Sequence, residues 1–395
     1  MDVKQYRTFP SLVLLVAFVL SLSGCSWETV SPIIEKVNPF SSPPTRNLPA
    51  ELTDLTPTRR LAESWSVRVG DSGNFMFVPV YTYDAVYAAS AGGTLVRVDV
   101  ETGREVWRVN AGRLTAGVGS DGRIVVVAGE KGTLLAYDAD GQQKWKARLS
   151  SEALSSPVVG EGVVVVRSQD NRIAGFDAAS GERKWMLQRR SPALMLRSSP
   201  GIVTVGPTAV VALPGGRMIS LLLGNGATRW DAMVADPRGT TELERIADTS
   251  GTPAVYDRLV CASAFQGRIA CFDVVTGRGV WAKEFSSDVG VGLDNQFVYA
   301  VNESSHVHAF SALRGQSVWR NERLSHRRLT TPIPFEGTVA VGDLQGFVHF
   351  LSREDGSFVA RAATDGTPIR ATPLVAGSRL IVQTTGGALQ ALMIN

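Results

Sequence analysis

From residue 61 to the C-terminus the apolar residues come in short runs that alternate with polar ones, each bounded by glycine, aspartate or proline. Arg258-Leu-Val-Cys-Ala-Ser-Ala264 is representative. A period of two between turn residues predicts strands. Long charged stretches of helical period are missing, which argues against a helical solenoid.

One phrase keeps returning: Asp99-Val-Glu-Thr-Gly103-Arg-Glu-Val-Trp107, Asp138-Ala-Asp-Gly141-Gln-Gln-Lys-Trp145, Asp177-Ala-Ala-Ser-Gly181-Glu-Arg-Lys-Trp185 and Asp273-Val-Val-Thr-Gly277-Arg-Gly-Val-Trp281. Weaker copies place Gly226 before Trp230, Gly315 before Trp319, and Gly356 before Ala360, where a tryptophan should stand. Of the eight tryptophans only Trp27 lies outside this frame. Proline gives the phase independently: Pro79, Pro157, Pro253 and Pro332 each lie 28 residues before Trp107, Trp185, Trp281 and Ala360, and Pro200 lies 30 before Trp230. Each unit therefore reads as four strands: an inner strand opened by proline, an alternating strand, a strand ending in aspartate, and an outer strand entered by tryptophan. The units around Gly117 and Val291 lack the proline.

The span from Trp65 to Asn395 is 331 residues, which makes eight units at the roughly 40–45 residues of four-stranded propeller repeats. The last unit, from Pro373, stops after its third strand, and the strand around Trp65 has no unit of its own. Pairing the two closes the ring without a broken sheet edge. The fold class expected is all-β: an eight-bladed β-propeller of four-stranded antiparallel blades, closed by its N- and C-terminal strands.

Composition fits a folded chain without a nucleic-acid-binding charge: 40 Lys plus Arg against 37 Asp plus Glu, and 44% hydrophobic residues. The N-terminus sets the address. Lys4 and Arg7 precede the apolar residues 11–20, a stretch of ten, shorter than the roughly 20 needed to span a bilayer. It ends in Leu22-Ser-Gly-Cys25, which resembles the lipobox of bacterial lipoproteins. The resemblance implies cleavage before an acylated Cys25, and Ser26 after it implies the outer membrane, with the chain facing the periplasm. Six prolines between residues 28 and 60 suggest an extended tether. The expected organisation is a signal peptide at 1–24, acylated Cys25 and tether at 25–60, and the propeller at 61–395.

The Asp-x-x-Thr-Gly-x-x-x-Trp phrase resembles the repeat of pyrroloquinoline-quinone (PQQ) type propellers, a group that includes quinoprotein dehydrogenases. Those enzymes carry adjacent cysteines, a bound calcium and a base aspartate over the central cofactor. Here the three cysteines are Cys25, Cys261 and Cys271, and no acidic cluster stands out from the turn aspartates. The expectation is therefore a protein that is not an enzyme, with no cofactor and no metal. Gly117-Val-Gly119-Ser-Asp-Gly122 matches a nucleotide-loop pattern but runs into a strand, not a helix, and reads as a turn. His306 and His308 share a strand face without further ligands at metal spacing. Cys261 and Cys271 are symmetric about Phe265-Gln-Gly267; a cross-strand disulfide and two buried thiols both fit.

Departures from the repeat point to a partner. The connection from outer strand to the next inner strand takes 12 residues from Trp145 to Pro157, but 15 from Trp185 to Pro200 and 23 from Trp230 to Pro253. The first long connection carries Leu194-Met-Leu-Arg197, which either plugs the blade interface or presents an apolar anchor. In the second, Thr241 and Glu244 fit a capping box. Together with the lipobox, tether and ring, the segments Ala193-Leu-Met-Leu-Arg-Ser-Ser-Pro200 and Gly239-Thr-Thr-Glu-Leu-Glu-Arg-Ile-Ala-Asp248 resemble the BamB family of outer-membrane protein assembly lipoproteins. That resemblance implies docking to the periplasmic domains of the BamA insertase through Leu194, Leu196, Arg197 and Asp248, alongside other lipoproteins of the complex and unfolded client proteins. The family's second aspartate is Ser250 here. The alternatives weighed against this scaffold are a PQQ-dependent dehydrogenase and a cell-wall or polysaccharide-binding propeller.

Overall fold

The computed structural model describes residues 47–190, 192, 194, 200–237, 240, 241 and 246–395. Its 32 strands form eight four-stranded antiparallel sheets. Blade 1 consists of Val80–Thr82, Ala85–Ala89, Thr94–Asp99 and Glu105–Asn110, from the channel outward. Blades 2 to 7 occupy residues 114–148, 158–188, 202–233, 249–284, 292–321 and 333–363. Blade 8 takes its three inner strands from residues 374–394 and its outer strand from Leu61–Arg68, which pairs antiparallel with Ala388–Ile394 from Leu61 opposite Ile394 to Arg68 opposite Ala388. The only helical turn among the described residues is Glu130–Gly132. Prolines 79, 157, 332 and 373 stand immediately before inner strands, where no ladder donor is lost. Pro253 instead lies inside Thr249–Tyr256, at the register shift between Ser250 and Ala254.

The repeated phrase has a direct physical reading. At its head, the Asp273 carboxylate accepts from the Thr276 amide and hydroxyl, both at 2.8 Å, and Asp99 and Asp177 do the same with Thr102 and Ser180. The glycine then turns the chain at positive φ, +74° at Gly181. It also lies under the preceding blade's tryptophan: a β-carbon on Gly181 would come within 2.6 Å of Trp145 Cδ2. The indole N–H of that tryptophan donates to the carbonyl of Ala178 at 2.8 Å. The same bond crosses six further blade boundaries, from Trp65 to Val100, Trp107 to Ala139, Trp185 to Leu223, Trp230 to Val274, Trp281 to Ala312 and Trp319 to Arg353. Each phrase thus builds a turn and a platform for its neighbour, and the apolar clusters run across blade boundaries.

The eighth boundary is different because the chain enters the ring there. Ala360 is wholly buried, and beside it Thr58 N–H donates to Val359 O at 2.9 Å, while Arg60 and Asn395 exchange backbone bonds. The stretch expected as tether is docked over its last dozen residues. Ala50 N–H donates to Ser325 O at 2.8 Å, Arg327 Nη1 donates to Ala50 O at 2.8 Å, Arg361 Nη1 to Thr53 O at 3.1 Å, and Arg59 Nη1 to Glu336 O. Leu52 packs on the cluster that contains Trp319, Leu324 and Phe358. Residues 49–60 therefore act as a strap across blades 6 and 7. Residues 25–46, with Cys25, lie outside the described residues.

Candidate functional site

In a meandering four-stranded blade the second turn and the connection to the next blade emerge at the same end. The two long connections therefore share one face, bracketing blade 4. Of the residues singled out there, Leu194 is 44% exposed; Leu196, Arg197 and Glu244 lie outside the described residues. Asp248 is 1% exposed. Its Oδ1 accepts from Gly215 N–H at 2.7 Å, so the carboxylate is turned inward onto blade 4 instead of standing on the surface. Ser250 is buried as well and donates to Ser287 O at 2.8 Å, which makes its position a packing position in this chain.

Around these residues the face is rich in charge. Asp231 bridges Arg217 at 2.7 Å and Arg189 at 3.3 Å, tying the outer strand of blade 4 to the start of the first long connection. Asn171 secures the same start, with Nδ2 donating to Arg190 O at 3.1 Å. Arg167, which closes a run of four valines, is buried; desolvation pulls its guanidinium down to about 10 against the opposing pull of Asp248. Sequence patterning missed Arg167, because an arginine ending a strand ordinarily reads as reaching solvent.

The channel opens as a cavity of about 820 Å³ lined by the inner strands and the residues leading into them, among them Val78, Pro79, Pro157, Ile202 and Thr252. Among its described lining residues Asp288 and Arg370 are ionisable. Burial raises the Asp288 carboxyl, with Glu303 adding to it. Among the described residues no group of three His, Cys, Asp or Glu side chains is placed to hold a metal. Gly119 of the nucleotide-loop pattern lies on the inner strand of blade 2 against Pro157 O, where an added β-carbon would stand at 2.2 Å, so close packing accounts for it. His306 bonds Ser325 Oγ at 3.0 Å, and His308 lies among Phe285 and Phe310.

Cys261 and Cys271 face each other in register, with Cα atoms 4.1 Å apart and sulfurs at 1.99 Å. Both are fully buried. We expect this pair to be bonded in the exported protein. Thiol counting after unfolding without reductant should find neither cysteine reactive; two reactive thiols would contradict the bond.

Acid should weaken the ring in two stages. Burial pushes His308 down to about 4 and also lowers His349. An unfolded histidine titrates at about 6.5, so their contribution is full above that pH and is lost as pH falls toward 4. The Thr276 hydroxyl and amide hold Asp273 down at about 2, and similar bonds lower Asp99 and Asp177. Their contribution is present above an unfolded carboxyl pKa of about 3.9 and is lost toward pH 2. The melting temperature is expected to fall gently from pH 6.5 and steeply below pH 4. A midpoint unchanged from pH 7 to pH 3 would contradict this.

These blades, turns and indole bridges define a β-propeller of the PQQ-type repeat. A family model described as outer membrane protein assembly factor BamB matches residues 91–321 and 303–395. The chain is 41% identical to BamB of Bordetella pertussis over 95% of both chains, 42% identical to that of Burkholderia pseudomallei over 97% of both, and 30% identical to that of Escherichia coli over 95% of this chain and 96% of the relative. The crystal structure of BamB from Moraxella catarrhalis superposes with a TM-score of 0.77 at 28% identity, covering 85% of this chain and all of that one. The quinohemoprotein alcohol dehydrogenase of Comamonas testosteroni shares the fold, at a TM-score of 0.65 and 14% identity. This chain belongs to the BamB family of outer membrane protein assembly factors.

Proposed function

We propose that the protein is a non-enzymatic scaffold of the outer-membrane β-barrel assembly machinery that binds the periplasmic domains of BamA and assists insertion of outer-membrane proteins. The observation that carries this reading is the 41–42% identity, over 95–97% of this chain, to proteins named as BamB. Acylated Cys25 holds the chain to the outer membrane on its periplasmic side, since several acyl chains on one residue bind durably. Leu194 and Leu196 bury apolar area against BamA and Arg197 orients the contact by charge-assisted hydrogen bonds, while Asp248 supports that surface from beneath. Other lipoproteins of the complex and unfolded clients are further partners, the latter through exposed blade edges. The test is co-isolation of the insertase with the full-length chain from detergent-solubilised native membranes. Its presence supports the reading, and its repeated absence overturns it.

A further inference from the structure

The two long connections converge on one buried turn of blade 4. Residues 214–216 join the strands Thr208–Leu213 and Arg217–Leu222, with Gly215 at φ +73° and Gly216 at φ +69°. A β-carbon on Gly215 would stand 3.2 Å from Pro192 Cγ, in the first connection. At Gly216 it would stand 2.1 Å from Ala235 O and 2.9 Å from Ala247 O, at the two ends of the second connection. The Gly216 carbonyl accepts from Val234 N–H at 2.7 Å and from Ala235 N–H at 3.1 Å, and Gly215 N–H donates to Asp248 Oδ1 at 2.7 Å. One backbone turn is thus bonded to the second connection at both ends, and Pro192 of the first lies where a side chain at Gly215 would go.

We propose that Asp248 and Gly216 are positioning residues of the docking face: through the turn at 215–216 they set the ends of the two connections, at Pro192, Ala235 and Ala247, relative to one another, and Asp248 acts on the partner through Leu194 and not by touching it. This rests on the docking reading above. Gly216 is buried and has no side chain, so it has no means of reaching a partner directly. Asp248 is equally inaccessible. Any effect of either residue on binding must travel through the roots of the connections. A side chain at Gly216 meets both a left-handed φ and two carbonyl oxygens, which forces those roots apart.

The test uses Gly216→Ala, Asp248→Ala and Leu194→Ala in the purified protein, singly and combined, with two readouts. The first is the methyl NMR spectrum of the unbound protein, in which Gly216→Ala and Asp248→Ala should both shift the Leu194 methyl resonances, while methyl groups of blades 6 to 8 stay in place and report an intact ring. The second is affinity for the purified periplasmic domains of the cognate insertase. Gly216→Ala and Asp248→Ala should each weaken binding about tenfold or more, and Leu194→Ala, costing about tenfold alone, should add less than about twofold in either background. Unmoved Leu194 resonances, or a Leu194→Ala penalty of the same size in all three backgrounds, would overturn the proposal. Should the wild type bind no insertase domain, the docking reading fails, and the resonances alone still decide whether the turn couples the two connections.

Discussion

Trp145→Ala is expected to lower the unfolding free energy by about 3–5 kcal/mol, the range for removing a large buried aromatic side chain. Trp145 belongs to the cluster that joins blades 2 and 3 through Val164, Val166, Ala174 and Phe176, and its loss also strips Ala178 O of its indole donor. Gly181→Ala should damage the same boundary from the other side. The left-handed φ alone costs a β-carbon about 1–2 kcal/mol, and the collision with the ring adds to it. In the Trp145→Ala background the collision partner is gone, so Gly181→Ala should there cost only the conformational part. Denaturant unfolding of the four proteins measures this coupling. Equal costs in both backgrounds would mean that the glycine is kept for its φ alone.

Asp343→Ala should be comparably damaging, by about 3–5 kcal/mol, because it strands a buried cation. Asp343 Oδ2 accepts from Arg327 Nε at 2.7 Å and bonds His349 Nε2 at 2.9 Å, and all three residues are buried. Arg361 Nε donates to His349 Nδ1 at 3.2 Å, so the imidazole is neutral with its proton on Nε2, toward Asp343. Burial works to raise the Asp343 carboxyl, but the bonds from His349, Phe347 and Arg327 leave it lowered and ionised. Arg327 also donates to Ala50 O. Losing Asp343 should therefore loosen the strap along with blade 7, seen as faster amide exchange at Ala50. The exposed pair Arg108–Glu105, at 2.6 Å, is the contrast: breaking it should change stability by no more than about 1 kcal/mol. A similar small effect at Asp343 would show that Arg327 finds another acceptor.

The ring was legible because its repeat encodes local physics. Asp99, Gly103 and Trp107 are a cap, a left-handed turn and an inter-blade bond written at fixed spacing. Closure was legible in Pro373 opening a unit one strand short. The strap was not, because Ala50, Thr53 and Thr58 are held largely through their backbone groups, which leave no residue signature. Nor was the inward turn of Asp248, since its acceptor role depends on a glycine amide 33 residues away in the sequence. The proposed docking residues came from family resemblance; the unusual length of two connections set that region apart without saying which side chains face out.

The central claim is tested most directly by co-isolation from native membranes, comparing wild type with the Leu194→Ala, Leu196→Ala, Arg197→Ala variant at matched thermal stability and with partners identified by mass spectrometry. The account predicts that BamA accompanies the wild type and is lost from the variant. BamA absent from both preparations would contradict the scaffold function, and BamA retained equally in both would contradict the assignment of the docking face.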